Sequence, residues 1–503
     1  MKTFEKIAVL IILLLGTLPA YPQYTFEKVF DNMEQAEISA AIETPDNDFL
    51  FAVSHAGTSV TDDHVMKISS QGDEIGTFNH EATGGYLKFL GLFEHPNYNG
   101  VYIIPALVHD GQVSTEIAII SFDKDLNLLD EKRSAFSDMV QNLSPMVIPS
   151  VIIYDNEIAV TAHVMLKTGG YGHLYARLDL DGGRLAAQTD DSYNTITAFT
   201  SSIALINKSK KDFAVLNRKV DSSGSISLFI DTMDSTMTVR KSGKIEYDNS
   251  GSSVHISFRP FDTPVLKQLE DSIIMMNVMS QKYIGASPSH YGNCLVETNN
   301  DLEITNTTFY FHDQSNISVR LPLRNSFEIR DDYIISCAII NLHSYHPYYK
   351  TQCLVTKYDR DMNIVWERFV NQEEGYYYPH YILATEDGGC LLAGYSCDED
   401  YQNKLAYVLK TDADGYLATD ELYDVEVKPY YFYPNPSTDR IYIEFSPDVT
   451  CRNVEIYSLD GRLVKTQNFN LGAVDVSSLT SGVYLMKAKM ADGKEFSERI
   501  VKE

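Results

Sequence analysis

The chain repeats itself through its middle with a period of roughly fifty-seven residues, which restricts its folds more than any bulk property does. The last copy is the clearest: "ATEDGGCLLAGYSCDEDYQNKLAYVLKTDADGYLATDE", from Ala384. It reads as a turn, an apolar strand, a polar loop, a second strand, a tight Asp/Gly turn and a further strand. The first copy, "ETPDNDFLFAVSHAGTSVTDDHVMKISSQGDEIGTF" from Glu43, follows the same plan, and five more lie between them. Anchored on the first apolar strand, the copies start at Phe49, Val101, Ile158, Phe213, Ile273, Tyr333 and Cys390. Strands this short cannot bury both faces alone, whereas copies set radially around a channel cover the faces and protect the edges. The spacing predicts an all-β chain whose main part is a seven-bladed β-propeller of about four strands per blade. Because the fourth copy is degenerate, a ring of six or eight blades is the alternative, and an array of β-sandwiches is a third.

The turns "DKDLN" (Asp123), "DLDGG" (Asp179), "DRDMN" (Asp359) and "DADGY" (Asp412) open like calcium loops. A calcium loop also needs Gly at its sixth position and an acidic ligand at its twelfth. From Asp123 those positions hold Leu128 and Ser134, and from Asp359 they hold Ile364 and Val370. Asp, Asn and Gly are here the residues that hairpin backbone angles require.

No HExxH zinc motif, GxSxG elbow or phosphate-binding Gly-rich loop is present. His343 and His346 could meet on one loop, but no third metal ligand can be named, so no metal or cofactor is expected. The chain carries 33 Tyr against one Trp, clustered in "HSYHPYYK", "EEGYYYPHY" and "VKPYYFYP". Tyr joins a flat apolar face to a hydrogen-bonding tip, which suits sugar rings and protein partners. Tyr345, Tyr348, Tyr349, Tyr376, Tyr377 and Tyr378 are therefore candidate binding residues on one rim. The plainer account is that they pack blade against blade.

A formal charge of −28 with no basic cluster argues against nucleic acid as a partner. Residues 1–20 read as a secretory signal peptide: Lys2 and Lys6, the apolar run "IAVLIILLLGTL", then a polar exit. No later segment is apolar enough to cross a membrane as a helix. Of six cysteines, Cys337 and Cys353 lie on expected neighbouring strands and could bridge, but buried free thiols are the favoured state.

After the repeats the character of the chain changes. "YPNPSTDRIYIEF" (433–445) is a Pro-punctuated start followed by alternation of Ile441, Ile443 and Phe445 with Tyr442, Glu444 and Ser446. "NVEIYSLDGRLVKTQNF" then supplies two strands around a Leu-Asp-Gly turn, and "VDVSSLTSGVYLMKA" leads to a final strand ending "RIVKE". About seven short strands make a small β-sandwich.

This tail resembles the type A C-terminal sorting domain of the type IX (Por) secretion system of Bacteroidota. The likeness rests on Pro434, Asn435 and Pro436 in the opening segment, Asp460 and Gly461 in the hairpin, and Gly482 and Tyr484 in the closing segment. Thr480 stands where that family often has Pro. The resemblance implies that residues 433–503 are recognised by the translocon and removed by a sortase, after export of the chain to the periplasm. Residues 24–425 would then be the passenger and 426–432 the linker, delivered outside the cell or to its surface. For the passenger, the reading is a propeller that binds a glycan or surface protein. The alternative is a secreted hydrolase or lyase with its active site in the channel.

Overall fold

A computed structural model of the protein describes residues 24–55, 63–80, 86–111, 113–143, 149–191, 200–220, 226–247, 249, 255–259, 264–270, 273–284, 287–311, 318–341, 350–370, 376–398, 403–417, 430–433, 437–445, 451–458, 461–468, 473–490 and 495–502. The expected signal peptide, the linker 426–432 except its last three residues, and His343 and His346 lie outside them. Every regular element among the described residues is a β-strand. The chain divides into two compact units, Met1–Thr419 and Asp420–Glu503.

In the first unit, the described strands form seven antiparallel sheets that follow one another along the chain, and none closes on itself. Sheets 1 to 6 span 36–79, 86–135, 140–190, 200–244, 255–311 and 318–369, and sheet 7 is built on 377–411. Each is a meander in which the second strand pairs with the first and the third, and the third with the fourth. In sheets 2, 3, 5 and 6 two short strands in succession fill the first position. Each of the seven repeat anchors is the first or second residue of a second strand.

Side-chain chemistry grades across each sheet. Second strands are near-continuous apolar runs, as in Val101–Asp110 and Glu157–Leu166, because both faces are covered. Fourth strands such as Leu128–Ala135 and Val239–Lys244 are largely exposed and carry Lys, Arg and Glu. Charge along an outer edge discourages pairing with another chain. The covering is mutual. Ile103 and Leu107 of sheet 2 share a core with Ile158 and Val160 of sheet 3, and every later sheet packs on its predecessor in the same way. Sheets 1 and 2 do likewise. Sheet 7 then packs back on sheet 1, where Leu391, Ala393 and Val408 meet Phe51, Val53 and Met66.

The fourth position of sheet 7 is taken by Phe26–Glu34, from the opposite end of the chain. It pairs antiparallel with Leu405–Thr411, with Phe26 opposite Lys410 and Phe30 opposite Ala406. No repeat copy includes this strand.

The tight turns that follow the third strands share one geometry. Asp123 Oδ1 accepts from the amides of Asp125 and Asn127, both at 2.9 Å. Asp359 does the same for Asp361 (3.0 Å) and Asn363 (2.8 Å), and Asp412 for Asp414 (3.0 Å) and Tyr416 (2.8 Å). Ser69, Asp179, Asp234 and Asn299 cap equivalent turns in the remaining four copies. These oxygens hold backbone donors, as the hairpin reading requires. The residue three places on has positive φ, from Leu126 (65°) and Met237 (62°) to Met362 (64°) and Gly415 (83°). Where it is not Gly, it is an apolar plug packed in an inter-sheet core.

All six cysteines are unbridged; Cys337, Cys353 and Cys390 sit in the shared core of sheets 6 and 7.

The second unit holds two sheets. One orders Tyr430–Tyr433, Arg440–Phe445 and Ala473–Asp475; the other orders Leu463–Asn468, Cys451–Ser458, Gly482–Met490 and Glu495–Lys502. Their facing residues, among them Ile441, Ile443, Val474, Ile456 and Met486, form one core.

Candidate functional site

The seven sheets of the first unit surround a cavity of about 710 Å³. Its wall takes one stretch from each repeat: Glu37, Ser39 and Ala40; 90–93; 149–154; 202–205; 265–268; 323–325; and His380 with Tyr381. These residues belong to the first strands or lead directly into and out of them. The size is that of small-molecule pockets in general.

Just under half of the lining is aliphatic, and most of its polar members are held in place. Ser202 Oγ accepts from the Leu266 amide at 3.0 Å, joining sheets 4 and 5. Gln268 donates to the Ile206 carbonyl at 3.2 Å. Lys267 is paired with Glu328 at 2.7 Å, and Glu37 with Lys404 at 3.5 Å. Asn325 donates to the Ile382 carbonyl at 2.7 Å, and the Ile382 amide returns a bond to Asn325 O at 3.0 Å. The amides of Arg324 and Asn325 both donate to the His380 carbonyl, at 2.9 and 3.1 Å. The Arg324 side chain itself has no hydrogen bond or ion pair with the described residues. Burial lowers its pKa, against the opposing pull of Glu37 and Asp63. Asp63 is already held by Lys88 Nζ and Ser54 Oγ (both 2.9 Å) and by the Phe89 amide at 2.7 Å.

His380 is 5 % exposed, its Nδ1 has no partner among the described residues, and burial pushes its pKa down to about 4. His163, 1 % exposed, is lowered to about 4 by the same cause. Both rings are therefore neutral near pH 7. A histidine whose folded value lies below the free value near 6.5 contributes stability above pH 6.5 that is lost as pH falls toward 4. Each should contribute roughly 3 kcal/mol to the loss by pH 4. Burial raises the Asp63 and Glu367 carboxyls, which act with the opposite sign. Urea unfolding at pH 7.5 and pH 4.5, compared with a His163→Gln variant, isolates the effect: the variant should lose less stability on acidification.

The tyrosines singled out from sequence divide. Tyr345, Tyr348 and Tyr349 lie outside the described residues. Tyr376 accepts from the Cys397 amide through its carbonyl at 3.0 Å. Tyr377 is half-buried, its ring 4.8 Å from that of Tyr407, and its backbone exchanges two bonds with Thr351 Oγ1. Tyr378 stacks on Tyr395 at 5.1 Å. Tyr395 in turn meets His380 edge-on at 5.3 Å and carries Lys404 over its face at 4.3 Å. Tyr378 thus reaches the cavity wall through Tyr395, while Tyr377 packs within the sheet 6–sheet 7 core. Arg324, His380, Glu37 and Lys267 carry no spacing signal in the sequence. Their only hint is position, just before each apolar anchor strand.

In the second unit Pro434, Asn435, Pro436 and Asp460 lie outside the described residues. Gly461 has φ +81° and closes the hairpin through its amide to the Ser458 carbonyl at 2.8 Å, a conformation that suits Gly. Tyr484 is buried and donates to the Thr480 carbonyl at 2.7 Å, pinning the turn before Gly482. Ser437 ties the opening segment to the last strand: its amide donates to the Val501 carbonyl at 2.9 Å. Residues 431–503 match the model of the secretion system C-terminal sorting domain. The match covers both sheets of this unit, with Ser437, Gly461 and Tyr484 serving its turns and its closing strand. A sorting domain of this kind supports secretion by the type IX route, implies interaction with that machinery, and implies release or surface attachment in Bacteroidota.

No curated protein matches the chain. Among solved structures, it is similar to an α-L-arabinanase of Penicillium chrysogenum complexed with arabinobiose. Identity there is 10%, coverage is 63% of this chain and 92% of that one, and the TM-score is 0.39. It is also similar to the extracellular domain of a one component system from B. thetaiotaomicron, at 10% identity and TM-score 0.38, covering 96% of this chain and 59% of that one. A member of the duf4221 family from Bacteroides vulgatus matches at 9% identity and TM-score 0.32, covering 78% and 99%. These likenesses are distant. No described helix is long and apolar enough to cross a membrane.

Proposed function

We propose that residues 24–425 are the passenger of an exported protein, a seven-bladed β-propeller whose central cavity binds a glycan, and that residues 433–503 are its removable address. The observation that carries this reading is the sorting-domain match to the second unit. Seven successive sheets, the strand Phe26–Glu34 completing the last of them, and a cavity walled by every sheet support the propeller. Residues 1–20 take the chain to the periplasm, and the linker 426–432 exposes the sortase cleavage bond. Glycan binding is supported by the cavity's mixed wall, in which aliphatic surface alternates with Ser, Asn, Gln and charged groups. Deleting residues 431–503 should leave at least nine-tenths of the protein in the periplasm, measured by fractionation and immunoblotting. Undiminished release from the deletion strain would refute the export reading.

A further inference from the structure

The charged groups on the cavity wall do not balance. Glu37 is paired with Lys404, and Lys267 with Glu328. Arg324 alone, among the described lining residues, presents a charge with no hydrogen bond or ion pair. The carboxylates that bear on it electrostatically, Glu37 and Asp63, are already committed to Lys404 and to Lys88. The half-buried guanidinium lines the cavity without a protein partner, and its planar fork of five donors is shaped for an oxyanion. Its backbone is fixed from two sides, through the Arg324 and Asn325 amides on His380 O and the Asn325 bond to Ile382 O, so the fork is presented from a rigid seam between sheets 6 and 7.

A second group beside it also lacks a partner. His380 is more than nine-tenths buried, lines the cavity, and has an Nδ1 with no hydrogen bond among the described residues. That nitrogen is closed to solvent, so of this pair it is the Arg324 guanidinium that a ligand oxygen in the cavity can reach.

We propose that Arg324 is the anion-recognition group of the cavity and that its ligand is an acidic saccharide, held by a carboxylate or sulfate oxyanion. This inference rests on the glycan reading above and narrows it to a substrate class. Arg324 receives the oxyanion, and the polar wall residues beside it receive sugar hydroxyls.

Isothermal titration of the purified full chain tests the assignment with three probes of one linkage: a glucuronic acid-containing disaccharide, its O-sulfated neutral-sugar counterpart, and the plain neutral disaccharide. At least one acidic probe should bind ten-fold or more tightly than the neutral one, and which of the two prevails distinguishes carboxylate from sulfate. In Arg324→Gln that preference should vanish while neutral binding is kept. The variant should unfold at the same urea concentration as the parent or a higher one, since the replaced side chain has no partner to lose. Equal affinity for all three probes, or an undiminished preference in Arg324→Gln, would overturn the proposal and leave the glycan reading standing. No binding of any probe would overturn both.

Discussion

Removal of residues 24–34 is expected to abolish cooperative folding of the first unit. The strand Phe26–Glu34 is the fourth member of sheet 7, although the rest of that sheet comes from 377–411. Without it the third strand, Leu405–Thr411, becomes an unpaired edge. Phe30, 3 % exposed, and Met33 also leave the core that joins sheet 7 to sheet 1, uncovering Phe51, Leu391 and Val408. Polar ties are lost with them: the Tyr407 hydroxyl bonds Glu27 at 3.0 Å, and Lys28 Nζ bonds the Gly72 carbonyl. Ladder bonds and two buried apolar side chains together come to about 5–10 kcal/mol, the whole margin of a typical domain. Phe30→Ala alone should cost about 3–5 kcal/mol. Urea unfolding followed by far-UV circular dichroism reads both variants. A synthetic peptide of residues 24–35 added in trans should recover part of the lost transition, because the vacated edge is a template for that one strand.

The second large effect is expected at Asp231. This carboxylate is fully buried in sheet 4 and receives Lys219 Nζ at 2.6 Å and Asn217 Nδ2. Lys219 is itself buried, donates to Ser242 Oγ at 2.9 Å, and has its pKa lowered by burial against the pull of Asp231. Taking away one member leaves an uncompensated charge in the interior. Asp231→Ala should therefore destabilise by about 3–5 kcal/mol. Replacing both members with apolar residues of similar volume, Lys219→Met with Asp231→Leu, should come within about 1–2 kcal/mol of the parent, since the pair repays little more than its own desolvation. If the double variant is no better than Asp231→Ala, the loss comes from packing and the electrostatic account fails.

The parts of the fold that were legible in the sequence are those set by local chemistry. Second strands announced themselves because both their faces are covered, so Phe49, Val101 and Cys390 open uninterrupted apolar runs. The turns at Asp123, Asp359 and Asp412 were legible because a side-chain oxygen and a positive φ recur at fixed offsets. In the tail, Ile441 and Ile443 alternate with exposed Tyr442, as the sequence pattern predicts. What stayed hidden depends on partners distant in the chain. "FEKVFDNME" has an unremarkable pattern, and its place follows only from pairing with a strand nearly four hundred residues later. Several first strands are split into short pieces with no clear alternation, so the cavity wall they build left no periodic mark. Arg324 and His380 come from adjacent repeats and meet only because sheets 6 and 7 are neighbours. The tyrosine clusters drew attention through composition, yet Tyr378 bears on the cavity only through Tyr395.

The second unit, on the reading proposed above, is an address independent of the cargo before it. The most direct measurement fuses residues 420–503 to a fluorescent protein behind a periplasmic signal peptide, in a bacterium with a working type IX system, and follows fluorescence in the periplasm, on the surface and in the medium. The account predicts that the fusion leaves the periplasm and that the same reporter without the tail does not. A fusion that stays in the periplasm, while the native chain is exported by the same cells, would contradict it.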